Sequence, residues 1–336
     1  MIKKARNVLK GIKDGTLKIQ NIDFSSPEID NVEMMKALAA YAPESIFLYQ
    51  HFDCDKWADI KEVVMEAVKK SGRALAYASD KLRDDKDVVM AAVKNDGRAL
   101  SYASKRLRHN KNVVMAAVKN DGRAIIVASY GLLHDEDIVM AAVKNDGSAL
   151  RYAPAFNKNK AIVMAAVKSC GDALRYAPAL NDDKAIVMAA VKNYGDALEY
   201  ASDRLRNDRD IVLAAIENSS AAYKYASMRL RLDKSIVLKA VNNGGGFLLG
   251  NVPALFQDDK DIILTAVKSD GNALIFASDR LKDDIDVVAA AVRNNPEAID
   301  YASQRLKEDP YIRFIKSGLK ESDLEYIRET SHLLGH

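Results

Sequence analysis

One position of this chain reads Met65, Met90, Met115, Met140, Met164 and Met188, then Leu213, Leu238, Leu264 and Ala289. A glycine ladder keeps the same register: Gly72, Gly97, Gly122, Gly147, Gly171, Gly195 and, after a gap, Gly271. Both ladders step by 25 residues and shorten to 24 between residues 140 and 195, and the unit of Gly244-Gly245-Gly246 is one residue longer. Self-similarity at this period constrains the fold more than any local propensity. A unit this small cannot bury an apolar face alone, so stacked neighbours must share one core. A length of 336 residues would otherwise allow two ordinary domains; the repeat predicts one array in their place.

The unit after Asp85 shows the pattern. Asp85 caps a helix, Asp87 suits its positive first turn, and Val88, Val89, Ala92 and Val93 share one face. Asn95-Asp96-Gly97 stops that helix, with Gly97 taking the left-handed conformation of a helix end. A second short helix follows, with Ala99, Leu100, Ala103 and Leu107 on one stripe. The expected fold is all-α: a right-handed-type α-solenoid or superhelix of about ten short helix-turn-helix repeats with divergent terminal caps.

The repeats occupy residues 62–310. Residues 1–61 form a divergent N-terminal cap with one degenerate repeat, in which Pro43-Glu44-Ser45-Ile46 echoes Pro296-Glu297-Ala298-Ile299 and Trp57 lies close by. Residues 311–336 read as a C-terminal helical cap. Within the array, Ser219-Ser220 replaces Asp-Gly, Gly244-Gly245-Gly246 and Pro253 disturb the following unit, and Pro154 and Pro178 are expected to cut the second helix early.

The stretch Asp87-Val88-Val89-Met90-Ala91-Ala92-Val93-Lys94-Asn95-Asp96-Gly97, continuing Arg98-Ala99-Leu100-Ser101-Tyr102-Ala103-Ser104, closely resembles the tandem repeat catalogued as domain of unknown function 4116. The resemblance covers residues 62–310 and weakens after residue 217. It implies the helical-repeat fold, carries no assigned activity and supplies no catalytic residues.

No catalytic, cofactor or metal site is expected. His51 and Cys54 lie near Asp53 and Asp55, but no second ligand pair follows, so a chance cluster in a polar loop is the reading. Cys170 fills the slot of Asp96 and Asp121 and reads as a drifted turn residue. Gly244-Gly245-Gly246 lacks the strand and the Lys-Ser/Thr of a phosphate loop. Two cysteines without a framework point to a reducing, cytoplasmic setting, and no apolar stretch is long enough to span a bilayer. The segment 320–334, acidic and then apolar, resembles C-terminal export signals of bacterial type IV secretion substrates; the competing reading is a capping helix.

Binding is the remaining class of function. Lys69, Lys94, Lys119, Lys144, Lys168 and Lys192 hold one solvated position near a helix C-terminus, which the helix dipole favours; Lys69, Lys94 and Lys119 are also candidate partner contacts. The dipole does not favour Arg73, Arg98 and Arg123, at the start of the second helix. With Lys81, Arg83, Lys105, Arg106 and Arg108 they make a basic flank on the first three units, for which surface salt bridges are the competing account. The tyrosine ladder (Tyr77, Tyr102, Tyr152 and onward) reads as packing between repeats, with ligand stacking as the sharper reading. The apolar run Ile125–Leu133 marks either a partner contact or local repacking. Together these predict a non-enzymatic scaffold for a protein with an acidic surface. Nucleic-acid binding and an exported effector that captures a host protein are the alternatives. A net charge of +3 argues against a polyanion as the main partner.

Overall fold

The computed structural model describes residues 32–43 and 54–318, together with Asn7, Lys10 and Gly11. Among them the chain is an all-α helical-repeat solenoid. The repeats gather into two compact units, one ending at Leu180 and the other beginning at Asn181.

The first helix of each repeat forms as the sequence predicts. Asp85 accepts hydrogen bonds from the Asp87 and Val88 N–H groups at 2.9 and 3.1 Å, filling the orphan donors of the Lys86–Asn95 helix. Val88, Val89, Ala92 and Val93 are buried, and within each unit these helices stack side by side from one repeat to the next. At the N-terminal end of the first unit, the Val32–Tyr41 helix lays Met34, Met35, Leu38 and Ala39 against the Lys61–Lys70 helix, and Trp57 is buried nearby. Apolar residues at that end are thereby kept from water.

The expected second helix is two pieces. Gly97–Tyr102 is a 3₁₀-helix, Ala103 is extended, and a separate one-turn α-helix spans Lys105–Arg108. The break has a cause in the preceding repeat. Extending the chain at Ala103 lets the Ser104 N–H reach the Arg83 carbonyl at 2.9 Å, while Ser104 Oγ caps the short helix by accepting from Leu107 N–H. Sequence periodicity alone could not see this, because Ala99, Leu100, Ala103 and Leu107 are all buried whether or not the helix is continuous.

Gly97 is also not the left-handed helix end that its position suggests, since the positive-φ glycines among the described residues are Gly245 and Gly318. It is needed for close approach: a Cβ there would lie 2.4 Å from the Ala117 carbonyl oxygen of the next repeat. Gly72, Gly122, Gly147, Gly195 and Gly271 meet the same contact, so the glycine ladder records how tightly successive repeats are stacked.

The prolines do not shorten a helix, because every repeat already breaks at that point. What Pro154 and Pro178 remove is the inter-repeat backbone bond, for which they have no N–H. Ala153 moves to φ −124°, ψ 60°, and a 3₁₀ turn over Pro154–Phe156 replaces the short α-helix.

In the second unit, Ser220 stands in the glycine register, and the next repeat accommodates it. A Cβ on Gly244 would sit 2.6 Å from Ser220 Oγ, so the small residue has moved across the junction. The Lys234–Gly244 helix gains one residue and closes on Gly245, whose φ of 64° suits glycine. The glycine triplet is therefore a packing adjustment.

Candidate functional site

The arginine flank lies along the junctions of the first unit. Each of its aspartates binds in two directions. Asp121 Oδ1 accepts from its own repeat's Arg123 N–H at 2.9 Å, while Oδ2 accepts from Arg98 Nε of the preceding repeat at 2.6 Å. Arg73 reaches Asp96 at 3.3 Å and Arg123 reaches Asp146 at 2.7 Å in the same way. Burial would raise the Asp146 carboxyl, but hydrogen bonds from Ser148 and Arg123 outweigh it and hold the pKa below the ordinary carboxylate range. The groove over these residues has a volume of about 660 Å³ and is walled by alternating Arg, Asp and Asn. Its cations are exposed yet matched one to one by anions of the stack itself.

Arg106, Arg83 and Lys81 of the flank are similarly engaged. Arg106 Nε donates to Asp84 Oδ1 at 3.0 Å and its terminal nitrogen donates to the Asp84 carbonyl, while Ser104 Oγ donates to the same carboxylate. The Ser104 and Arg106 bonds hold the Asp84 pKa low. Arg83 pairs with Asp80 at 2.7 Å and Lys81 with Asp59 at 3.5 Å. Arg108 is half-buried, and its Nε has no hydrogen-bond partner.

Sequence reasoning passed over the residue that binds these repeats most systematically. Asn95, Asn120 and Asn145 recur immediately before each Asp-Gly pair. Asn120 Oδ1 accepts from Gly97 N–H at 2.7 Å, and Asn120 Nδ2 donates to the Lys94 carbonyl at 2.9 Å. One side chain thus satisfies a helix-end carbonyl and a 3₁₀-helix N–H of the preceding repeat. Asn95, Asn145, Asn218 and Asn294 repeat the clamp. The 25-residue recurrence was visible, but Asn beside Asp-Gly reads first as turn chemistry.

The lysine row differs from the arginine row. Lys69 pairs with Glu66 at 2.8 Å. Lys94, Lys119 and Lys144 are exposed and have no ion-pair partner among the described residues. The asparagine clamp fixes the Lys94 and Lys119 backbones through their carbonyls, so free ammonium groups project from a rigid base. Beside them lies a floor of half-buried Met90, Met115, Met140, Ala91, Ala116 and Ala141. Two shallow grooves of about 550 and 580 Å³ run over this floor, the first reaching Asp87 and the second Asp137. Those two carboxylates already meet Lys61 and Lys111 at 3.5 and 2.9 Å. Each of those lysines also holds a helix-cap carboxylate, Lys61 meeting Asp85 at 2.7 Å and Lys111 meeting Asp135 at 2.8 Å, so this edge of the floor keeps an acidic character while the other is cationic.

The apolar run divides. Ile125 is buried, whereas Ile126 is 56% and Tyr130 77% exposed, with the Tyr130 ring 4.5 Å from that of His134. In the second unit, Leu232 and Leu255 take the register of the Asp84–Arg106 pair and are both exposed. The ladder tyrosines are half-buried except Tyr102, and Arg151, Arg175 and Lys224 lie over the rings of Tyr152, Tyr176 and Tyr225. Cys170 sits between a helix and a 3₁₀ turn, in the slot of the junction aspartates. Among the described residues no group of His, Cys, Asp and Glu could hold a metal, and no helix is long and apolar enough to cross a membrane. His51, the Cys54 side chain and the 320–334 segment lie outside the described residues.

The profile of the family described as Domain of unknown function (DUF4116) matches the chain in tandem at residues 60–108, 110–157, 135–182, 159–206, 183–227, 208–257 and 259–307. No curated protein and no solved structure matches.

Proposed function

The chain belongs to the family described as Domain of unknown function (DUF4116), a description that assigns no activity, and on that premise we propose that it is a non-enzymatic helical-repeat scaffold that binds another protein. The observation that carries this reading is the lysine row. The junctions of the first unit match their arginines to aspartates one by one, yet Lys94, Lys119 and Lys144 have no ion-pair partner among the described residues and stand beside a methionine floor. Methionine side chains adapt to an irregular apolar partner, and free lysines steer an acidic one. The arginine flank frames this surface and contributes less to it, because its charges are already matched.

The test is affinity capture from a cell lysate with the wild type and with Lys94→Gln, Lys119→Gln and Lys144→Gln combined, with and without nuclease. A protein that is lost from the variant and resists nuclease supports the scaffold. Recovery that nuclease erases transfers the surface to nucleic acid. Equal capture by both proteins moves binding away from this face.

A further inference from the structure

Resting on that protein-binding reading, we infer that the Lys94–Lys119–Lys144 row receives an extended, polyproline-II-like acidic segment with a carboxylate at every third residue and an apolar side chain beside each. The spacing of the row carries this. The three lysines occupy one position of three consecutive helices packed side by side, and packed helices lie about 8–10 Å apart. A polyproline-II segment has 3 residues per turn and rises about 3.1 Å per residue, so one turn advances about 9 Å and every third side chain points the same way. One turn therefore matches one repeat.

Other peptide conformations fit less well. A β-strand repeats its facing side chains at about 6.6 Å, which drifts out of step with the row after one repeat. An α-helix rising about 1.5 Å per residue would need acids six or seven residues apart, leaving most of its length without a matching cation.

The floor and far edge select the remaining side chains. Met90, Met115 and Met140 recur in step with the lysines and offer each triplet one apolar seat. Asp87 and Asp137, already held by Lys61 and Lys111, line the opposite edge and disfavour a second row of carboxylates there. The bound segment is thus acidic on one side only. A nucleic-acid strand would bring phosphates without apolar groups for the methionines, and would meet those aspartates.

The test is fluorescence anisotropy at low and physiological salt with labelled peptides of one composition. One carries repeated Glu-Leu-Pro triplets; its isomer carries the same residues with the glutamates grouped at one end. An oligodeoxythymidylate serves as the polyanion control. The inference expects the triplet peptide to bind at least about tenfold tighter than its isomer, and the Lys94→Gln, Lys119→Gln, Lys144→Gln variant to lose that difference. Equal binding of the two isomers overturns the register. Binding of neither peptide overturns the acidic-segment assignment, while the scaffold reading stands or falls separately on the lysate capture. Competition by oligodeoxythymidylate at physiological salt overturns it in favour of nucleic acid.

Discussion

The first unit carries two rows of cations, each recurring once per repeat over three repeats and each exposed to solvent, yet their chemistry is opposite. Arg73, Arg98 and Arg123 pair with aspartates of the following repeat, whereas Lys94, Lys119 and Lys144 pair with none of the described residues. A ladder of charge along a solenoid is therefore not by itself a binding surface. The deciding question is whether the next repeat supplies its counter-ion at the right offset. Each arginine finds an aspartate 23 residues ahead, whereas the same step from Lys94 lands on Ala117, in the buried core.

The sharpest way to test that the arginine side is the stacking side is Gly97→Ala. The added methyl would press on the Ala117 carbonyl, which is backbone and cannot rotate away. The expected cost is about 3 kcal/mol. It should appear in urea unfolding as a lower midpoint, with hydrogen exchange loosened first around residues 97–121. A midpoint within error of wild type would mean the repeats are not stacked this closely.

Asn120→Ala should come next. It leaves Gly97 N–H and the Lys94 carbonyl without their partner, at a cost of about 1–2 kcal/mol. Asn120→Ser should recover part of the loss, because Ser169 in the same register accepts from Gly147 N–H at 3.1 Å. If serine were no better than alanine, the Gly97 bond would not be the contributing half of the clamp.

How far the sequence could be read follows from the same contacts. The first helices were legible because Asp85 and its equivalents cap them and valines fall on one face, both properties of a single repeat. The broken second helix, the stacking role of Gly97 and the asparagine clamp were not, because each is a relation between neighbouring repeats. Arg98 stands out in the sequence because the dipole does not favour it, and what compensates it is Asp121, one repeat further on. Lys94 reads from the sequence both as a cation that the dipole favours and as a candidate partner contact; what distinguishes it in the structure is the absence of an ion-pair partner among the described residues.

Acid should probe the carboxylates that hold the stack, the helix-cap Asp85 and Asp135 as well as those of the junctions. Hydrogen bonds from Ser104 and Arg106 hold Asp84 low, and those from Ser148 and Arg123 hold Asp146 low against the opposing effect of burial. A carboxyl whose pKa is lower folded than unfolded binds its proton more readily in the unfolded chain. Its stabilisation is complete above the unfolded value of about 3.9 and is lost as pH falls through the lower folded value. The melting temperature should therefore hold from neutral pH to about pH 5 and fall steeply below about pH 4. A flat profile through that range would show that the junction carboxylates contribute nothing.

The smallest expected effect separates the two rows most directly. Arg98→Gln removes the cation that pairs with Asp121, so it should lower the melting temperature by a few degrees at low salt and by less at high salt, where the lost attraction is screened. Lys94→Gln and Lys119→Gln remove no ion pair among the described residues, and the asparagine clamps on their carbonyls do not depend on the side chain. What they lose is the favourable placement of a cation near a helix C-terminus, a few tenths of a kcal/mol each at low ionic strength. Thermal melts of the three variants at two salt concentrations read the difference. If the lysine variants melt as far below wild type as Arg98→Gln and recover equally in salt, the lysines stabilise the stack as the arginines do, and the row loses its claim to be a surface kept free for a partner.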